Sequence, residues 1–179
     1  MSGIIGDNLG RSSGLVKAVT AAAGGLSVGD QWSLTTAFTG SAEPIASNWE
    51  QNDEASFDPL GSSMTESSGI FTFPSTGFYL VMFNTSTEAN AFASDDFEVK
   101  IQVTIDDSSY DDGALGKMHI TDESAETVMI GQLNQIIDVT DTANVKVRFS
   151  IVGAASTVYV AGNTAERWTY GTFLRLGDT

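Results

Sequence analysis

The 179-residue chain has no cysteine and only one histidine, and its 8 Lys and Arg residues are outnumbered by 23 Asp and Glu residues. Without cysteine it can form neither disulfides nor a zinc–thiolate site. The formal net charge of −15 argues against binding to nucleic acid phosphates and to anionic membranes, because both require clustered Lys and Arg. We therefore expect a solvated acidic surface, with no nucleic acid partner and no membrane insertion.

Long hydrophobic runs are also missing. No stretch approaches the ~18 apolar residues that a membrane-spanning helix needs. The first 25 residues end in small side chains, as a signal peptide does, but Asp7 stands where a positive charge belongs and Lys17 interrupts the apolar part. The sequence therefore predicts no export signal and no membrane span.

Motifs for catalysis and cofactor binding are scarce as well. The single histidine, His119, lies between Met118 and Ile120 without a Gly-x-Ser-x-Gly motif elsewhere, and such a residue is more often a structural strand residue than part of a catalytic triad. No phosphate-binding or dinucleotide-binding glycine motif occurs. We expect a protein that is not an enzyme and binds no cofactor.

Alternating strands make up most of the sequence. Residues 97 to 105 place Phe, Val, Ile, Val and Ile on one face and polar residues on the other, and residues 145 to 151 repeat the pattern. In residues 126 to 141 both parities carry apolar residues, which predicts a bulge at Gly131 or burial on both faces. Glycine-rich turns separate the runs. This pattern predicts an all-β antiparallel sandwich or jelly roll of about ten strands over residues 30–179.

The segment IFTFPSTGFYLVMFN, residues 70 to 84, departs from simple alternation. Beyond its turn, every residue from Phe78 to Phe83 is apolar. A strand with one face in water should carry polar residues at every second position. Either this strand lies fully buried inside a monomeric sandwich, or its second face is covered by another subunit.

The spacing of Phe71, Gly77, Tyr79 and Val81 resembles the signature of the complement-type globular head domains, which are relatives of the tumour-necrosis-factor (TNF) jelly roll. Further segments occur in the same order as in those domains and extend the resemblance over residues 30–179. Phe57 precedes the signature, and LNQIIDVTDTANVKVRFS is similar to the strand, acidic turn and strand that follow it. The ending TYGTFLRLG is similar to the last strand. The collagen stalk of those domains is absent, since no Gly-X-Y repeat occurs.

The resemblance implies a homotrimer, because such jelly rolls use one face of the inner sheet for the core and the other for neighbouring subunits. It also assigns residues 96 to 106 to the outer sheet. On this basis, the strand after the signature belongs to the threefold interface. The predicted interface residues are Phe78, Tyr79, Val81, Phe83 and Tyr170.

Residues 1–29 differ from the rest and form a predicted N-terminal arm. They carry a net charge of +1, whereas the remaining residues carry −16. The segments MSGIIGDNLGRSSG and MTESSGIFTFPSTG, with the ending FLRLGDT, resemble structural proteins of marine bacteriophages. That resemblance implies a virion-surface protein, with capsid decoration as first choice, a receptor-binding tip that contacts a host-surface glycan as the alternative, and a secreted cellular domain third. The arm residues expected to dock on a capsid or tail protein are Ile4, Ile5, Arg11, Leu15, Val16 and Lys17.

Two loops are candidates for ligands. The segment DDSSYDDG offers Asp106, Asp107, Asp111 and Asp112 as calcium ligands, although it lacks the glycine and ligand spacing of an EF-hand. A solvated loop is the simpler interpretation of this segment, and other paired carboxylates are not expected to converge in a cleft. For the glycan alternative, the sequence offers the loops Asp106–Gly113 and Thr121–Glu126.

Overall fold

A computed structural model describes residues 25–89, 95–120 and 127–179, which form twelve strands and no helix. The strands of the first half are β1 (Gly29–Leu34), β2 (Phe38–Thr39), β3 (Trp49–Gln51), β4 (Thr65–Ser67), β5 (Ile70–Thr72) and β6 (Gly77–Ala89). Those of the second half are β7 (Asp95–Thr104), β8 (Asp111–Ile120), β9 (Thr127–Val139), β10 (Lys146–Val152), β11 (Val158–Val160) and β12 (Tyr170–Gly177). Within the described ranges, therefore, no helix could span a membrane.

The strands form two antiparallel sheets. The seven-stranded sheet has the order β2-β11-β6-β12-β1-β3. β11 and β12 both pair with one edge of β6, and β9 pairs with the opposite edge over the whole length of β6. The five-stranded sheet has the order β4-β5-β10-β7-β8. Among the long strands, β6, β9 and β12 lie in the seven-stranded sheet and β7, β8 and β10 lie in the five-stranded sheet. The chain thus crosses repeatedly between the sheets, as it does in a jelly roll. The predicted all-β fold is confirmed, with β7 in the sheet opposite β6.

Aromatic rings fill the space between the sheets. Phe83 of β6 stacks on Phe149 of β10 with ring centroids 4.4 Å apart. Phe71 contacts Phe149 on the same sheet and Phe173 across the gap. All four rings are fully buried, so one continuous core joins the sheets.

β6 alternates in burial although it does not alternate in polarity. Tyr79, Val81 and Phe83 have no exposed surface, because their side chains point between the sheets. The residues of the other parity are Phe78, Leu80 and Met82. Phe78 remains 38% exposed in the single chain, and the side chains of Leu80 and Met82 are half-buried. The second face of this strand is therefore left partly uncovered by the chain itself.

Two expectations about the other long strands are wrong. β9 pairs with β6 without interruption at Gly131, so it has no bulge there. Its outward face is not buried by the chain either, because Ile130 is 79% and Ile136 59% exposed. A Cβ at Gly131 would lie 2.7 Å from Thr85 Oγ1, so close packing explains that glycine. The sequence also predicted that Ile105 lies on the buried face of β7, with Gln102 and Thr104 on the exposed face. Instead, Ile105 is 77% exposed, whereas Gln102 and Thr104 are buried. A polar network covers Gln102, and Ile105 lies beyond the end of β7.

The body begins slightly earlier than residue 30. Val28 is buried, and Gly29 opens β1 opposite Leu174 of β12. The predicted arm of residues 1–29 thus includes a short stretch that belongs to the sandwich. Its docking residues Ile4, Ile5, Arg11, Leu15, Val16 and Lys17 lie outside the described residues.

Candidate functional site on one face of the seven-stranded sheet

The outward face of the seven-stranded sheet carries an apolar band. Leu80 of β6 lies directly between Leu174 of β12 and Ile136 of β9. Phe78 and Met82 extend the band along β6 on the same face, and Ile136 is 59% exposed. We define the apolar band as Phe78, Leu80, Met82, Ile136 and Leu174. Exposed apolar side chains that adjoin in this way are typical of a surface that another protein covers.

A groove of about 380 Å³ lies on the same face, beyond the apolar band. Its walls include Trp168, which is 39% exposed, and Ile130, which is 79% exposed. We define the aromatic groove by the residues Asn84, Ser86, Ile130, Arg167, Trp168 and Tyr170. Glu88 also reaches it. The groove thus mixes aromatic and apolar surface with hydroxyl, amide and charged groups.

Arg167 is held in place at the edge of the groove. Its Nη2 donates hydrogen bonds to Asn52 Oδ1 at 2.7 Å and to Asp53 Oδ1 at 3.1 Å, and its Nη1 donates to the Thr164 carbonyl at 3.0 Å. The Glu54 carboxylate lies 3.7 Å away. These contacts satisfy the guanidinium and fix the segment that leads into Trp168 and β12.

The cations of the described chain share this pattern. Each of its six Lys and Arg side chains lies within 4 Å of a carboxylate: Lys100, Lys117, Lys146, Arg148, Arg167 and Arg175. A surface whose cations are already paired offers little attraction to an anionic partner. This holds for the aromatic groove in particular.

The predicted trimer-interface residues separate into two groups. Phe78 lies in the apolar band and Tyr170 lines the aromatic groove, so both face outward. Tyr79, Val81 and Phe83 are fully buried in the core of their own chain, and their assignment to the interface is wrong. The alternation of side chains along a strand puts neighbouring residues on opposite faces, and the uniform apolar run of β6 concealed which parity faces inward.

Three of the four calcium candidates are engaged by donors of the protein itself. Asp106 accepts hydrogen bonds from the backbone amides of Ser109 and Ser108, which lower the pKa of its carboxyl to about 2. Asp107 pairs with Lys146, and Asp112 accepts hydrogen bonds from the side chains of Lys100 and Gln102. Asp111 is exposed at the start of β8. In the three described ranges, no group of three or more metal-binding side chains occurs.

A buried polar network underlies this region of the five-stranded sheet. Gln102 is 3% exposed, and its Oε1 accepts hydrogen bonds from Arg148 Nε and Ser150 Oγ, each at 2.8 Å. Its Nε2 donates to Glu43 at 2.7 Å and to Asp112 at 2.9 Å. The Arg148 guanidinium also stacks 4.1 Å above the ring of Tyr110. Every polar atom of the Gln102 amide is thus engaged, which identifies a structural role.

His119 and the Asp106–Gly113 loop give no comparable site. His119 Nδ1 lies 2.8 Å from Asp96 Oδ1 in an exposed pair on neighbouring strands. The Asp106–Gly113 loop is tied down by the Asp106 hydrogen bonds, and residues 121–126 lie outside the described residues.

Sequence reasoning missed the aromatic groove. Arg167, Trp168 and Ile130 come from separate segments that meet only in the folded sheet. One signal was present: in RWTYGTF, Trp168 and Tyr170 share one parity while Gly171 and Phe173 occupy the other. An aromatic residue on each parity indicates that both faces of the strand are used.

Comparison with known proteins bears on the fold alone. No protein-family model matches the chain, and no curated protein sequence is significantly similar to it. Solved structures are similar in fold. Murine APRIL at pH 5.0 superposes with a TM-score of 0.60 at 8% identity, over 83% of this chain and 98% of APRIL. Eiger TNF from S. frugiperda gives a TM-score of 0.60 at 11% identity, over 85% of this chain and 94% of Eiger. The chain therefore has a TNF-like jelly-roll fold.

Proposed function

We propose that this chain is a non-enzymatic, homotrimeric structural protein of a bacteriophage virion, which decorates the capsid surface and is anchored there by its N-terminal arm. The observation that carries self-association is the apolar band, which the single chain leaves partly uncovered. The virion role is supported by the resemblance of the segments MSGIIGDNLGRSSG, MTESSGIFTFPSTG and FLRLGDT to marine phage proteins.

A second copy of the chain is the occupant that fits the apolar band. Covering an exposed apolar side chain contributes about 1.5–3 kcal/mol when its burial is complete. Leu174, Leu80 and Ile136 form a continuous row across three strands, so one partner surface can cover all of them. The TNF-like fold fits this arrangement, because the resemblance of the sequence implies a threefold assembly through this sheet.

The position of the arm is compatible with that assembly. The described chain enters the sandwich at Val28 and Gly29, at the end of the sheet where the apolar band lies. Three arms of a trimer would emerge from this end and engage a particle together, so weak single contacts would add up through effective concentration. Arg11 and Lys17 would pair with an acidic rim on the capsid or tail protein.

The test is co-sedimentation with particles that lack this protein. Full-length trimers and trimers without residues 1–24 are added to the particles, and the bound fraction is measured. We expect full-length protein to pellet with particles and the truncated body, still trimeric and folded, to remain in solution. Equal binding by both forms would disprove the anchoring role of the arm. Labelling of intact particles with an antibody then separates decoration, with label over the whole head, from a tail or fibre location.

The alternative function is a receptor-binding tip that contacts a host-surface glycan. One observation favours it, the aromatic groove. The groove residues Asn84 and Ser86 lie four and six residues beyond Leu80 along β6, which is about 13–20 Å at roughly 3.3 Å per residue. A body anchored by its arm would therefore hold the groove at the end distant from the anchor.

A further inference from the structure

We infer that Arg175 fixes the point at which the N-terminal arm leaves the body, and that it thereby strengthens anchoring by the arm. We define the arm exit as residues 25–28. The role of Arg175 in anchoring rests on the proposed function, whereas its effect on the arm exit can be measured on free protein. Arg175 does not point to the outward face that a homotrimer covers, because it shares the parity of Phe173, which is fully buried between the sheets.

The arm exit is the place where the chain passes from solvent into the sandwich. Residues 25–27 are exposed, whereas Val28 is buried. The Val28 carbonyl accepts a hydrogen bond from the backbone amide of Arg175 at 3.0 Å. The next residue, Gly29, pairs with Leu174 on the same strand. β12 therefore receives the chain directly at the arm exit.

The side chain of Arg175 joins the arm exit to two other segments. Its Nη1 donates a hydrogen bond to Ser27 Oγ at 3.1 Å, and its Nε donates to the Thr76 carbonyl at 2.9 Å. Its Nη2 donates to Asp178 Oδ1 at 2.5 Å. Each nitrogen thus serves a different segment, which a rigid planar guanidinium can do and a lysine ammonium cannot do in the same way. The side chain is only 15% exposed, so these contacts hold it largely out of water.

Two features of the backbone make room for this side chain. Gly77 has a φ of +138°, and a Cβ there would lie 2.6 Å from Arg175 Nε. A side chain at position 77 would therefore push the guanidinium away from Thr76. β12 also has an irregularity, because its pairing with β6 shifts register between Arg175 and Gly177. Such bulges re-aim side chains, so the backbone on both strands is adapted to this position of Arg175.

A fixed arm exit matters for an arm that binds a particle. The effective concentration of the three arms of one trimer depends on the length and stiffness of the connection between each arm and its body. If the arm exit detaches, residues 25–28 lengthen that connection and the arms spread over a larger volume. The Arg175 contacts keep the connection short and attach it to β12, which pairs with both β1 and β6. Loss of these contacts should therefore weaken particle binding without unfolding the body.

A spin label at position 25 measures how firmly the arm exit is held in the full-length protein. The chain has no cysteine, so Gly25→Cys provides a single labelling site, and a Cβ there meets no atom within 4 Å. We expect Arg175→Lys to shorten the rotational correlation time of the label by a factor of about two or more. Ser27→Ala should act in the same direction with a smaller effect, and the two changes together should act less than additively, because they break one contact.

Arg148→Lys is the matched control for the label. Arg148 also uses its guanidinium for a side-chain hydrogen bond, to Gln102, but it lies on the five-stranded sheet and should leave the label unchanged. Because Ser27 is exposed, Ser27→Ala tests the same contact even if Arg175→Lys destabilises the fold. Unchanged mobility of the label in both Arg175→Lys and Ser27→Ala, or an equal effect of Arg148→Lys, would overturn the inference.

Co-sedimentation with particles that lack the protein tests the role in anchoring. Arg175→Lys trimers, shown to be folded by circular dichroism and trimeric by light scattering, should need about threefold more protein for half-maximal binding. Arg148→Lys trimers should bind as the unchanged protein does. Unchanged binding by Arg175→Lys, despite a more mobile label, would overturn the role of Arg175 in anchoring. If the unchanged protein itself fails to pellet with particles, the proposed anchoring is wrong, whereas the label still reports whether Arg175 fixes the arm exit.

Discussion

Gly171 of β12 lies against the ring of Phe149 of β10, so closely that a Cβ at position 171 would be 2.5 Å from Cε2 of that ring. The same ring stacks on Phe83, the strand neighbour of Gly171, at 4.4 Å between centroids. The missing side chain of Gly171 is thus what allows Phe149 to reach the opposite sheet. The contact fixes the distance between the sheets and holds β12 in position. β12 contributes Leu174 to the apolar band and Tyr170 to the aromatic groove, so both surfaces depend on this contact.

Substitution of Gly171 should therefore destabilise the fold. We expect Gly171→Ala to lower the free energy of unfolding by about 1–3 kcal/mol, because an added methyl overpacks a rigid aromatic core. Gly177→Ala is the matched control on the same strand, since a Cβ there meets no atom within 4 Å. Urea denaturation of both variants measures the difference. Equal midpoints for the two variants would show that the core can adjust to the methyl.

Neighbouring residues of β6 should respond differently to a charge. Leu80→Asp should yield a folded monomer. Leu80 belongs to the apolar band, so the carboxylate introduced there would be buried only in the assembly. Val81→Asp should unfold the subunit, since Val81 is fully buried between the sheets and an unpaired charge there costs several kcal/mol.

Light scattering and circular dichroism distinguish the two outcomes. Light scattering reports the assembly state and circular dichroism the fold. A Leu80→Asp protein that remains trimeric would contradict the assignment of the apolar band to self-association. A wild-type protein that is monomeric at all concentrations would contradict it as well.

Removal of the Gln102 side chain should cost more than its polarity suggests. Gln102→Ala would leave Ser150 Oγ, which is fully buried, without its acceptor. A buried polar group left without a partner costs about 1–3 kcal/mol. Gln132→Ala is the control, because Gln132 is exposed on β9. Thermal unfolding should show a clear loss of stability for the first variant only; a loss of the same size in both would reject the network as its cause.

The loop at Asp106 should contribute stability that depends on pH. Its pKa of about 2 in the fold lies below the ordinary value of 3.8, chiefly because the amides of Ser109 and Ser108 bind the ionised carboxylate. A lowered pKa in the folded state means that the contribution is complete above about pH 4. It is then lost as pH falls towards 2.

Asp106→Ala tests this contribution. The variant should be less stable than the unchanged protein at pH 7, and the difference should disappear near pH 2. Asp111→Ala is the matched control, because it removes an equal charge at the start of β8 without removing those hydrogen bonds. Melting temperatures measured from pH 7 to 2 provide the comparison. A constant difference across this range would show that protonation of Asp106 does not govern it.

The sequence by itself determined the fold class and much of the strand arrangement. Strict alternation in residues 97–101 and 145–151, with glycine-rich turns between runs, was sufficient because side chains of a strand alternate between faces. The ordered motifs around Gly77, Tyr79 and Gly171 indicated a TNF-like jelly roll, and solved structures share that fold. Alternation fails as a guide where both parities are apolar, and it also fails at Ile105, which lies beyond the end of its strand.

Only the tertiary structure decided which face of β6 points inward. Six successive apolar residues are equally compatible with either orientation, and only the pairing with β9 and β12 and the rings of the opposite sheet place Tyr79, Val81 and Phe83 in the core. The aromatic groove needed tertiary structure for a related reason. Asn84, Ile130 and Trp168 are distant along the chain, and they become neighbours only because antiparallel pairing brings β6, β9 and the start of β12 side by side.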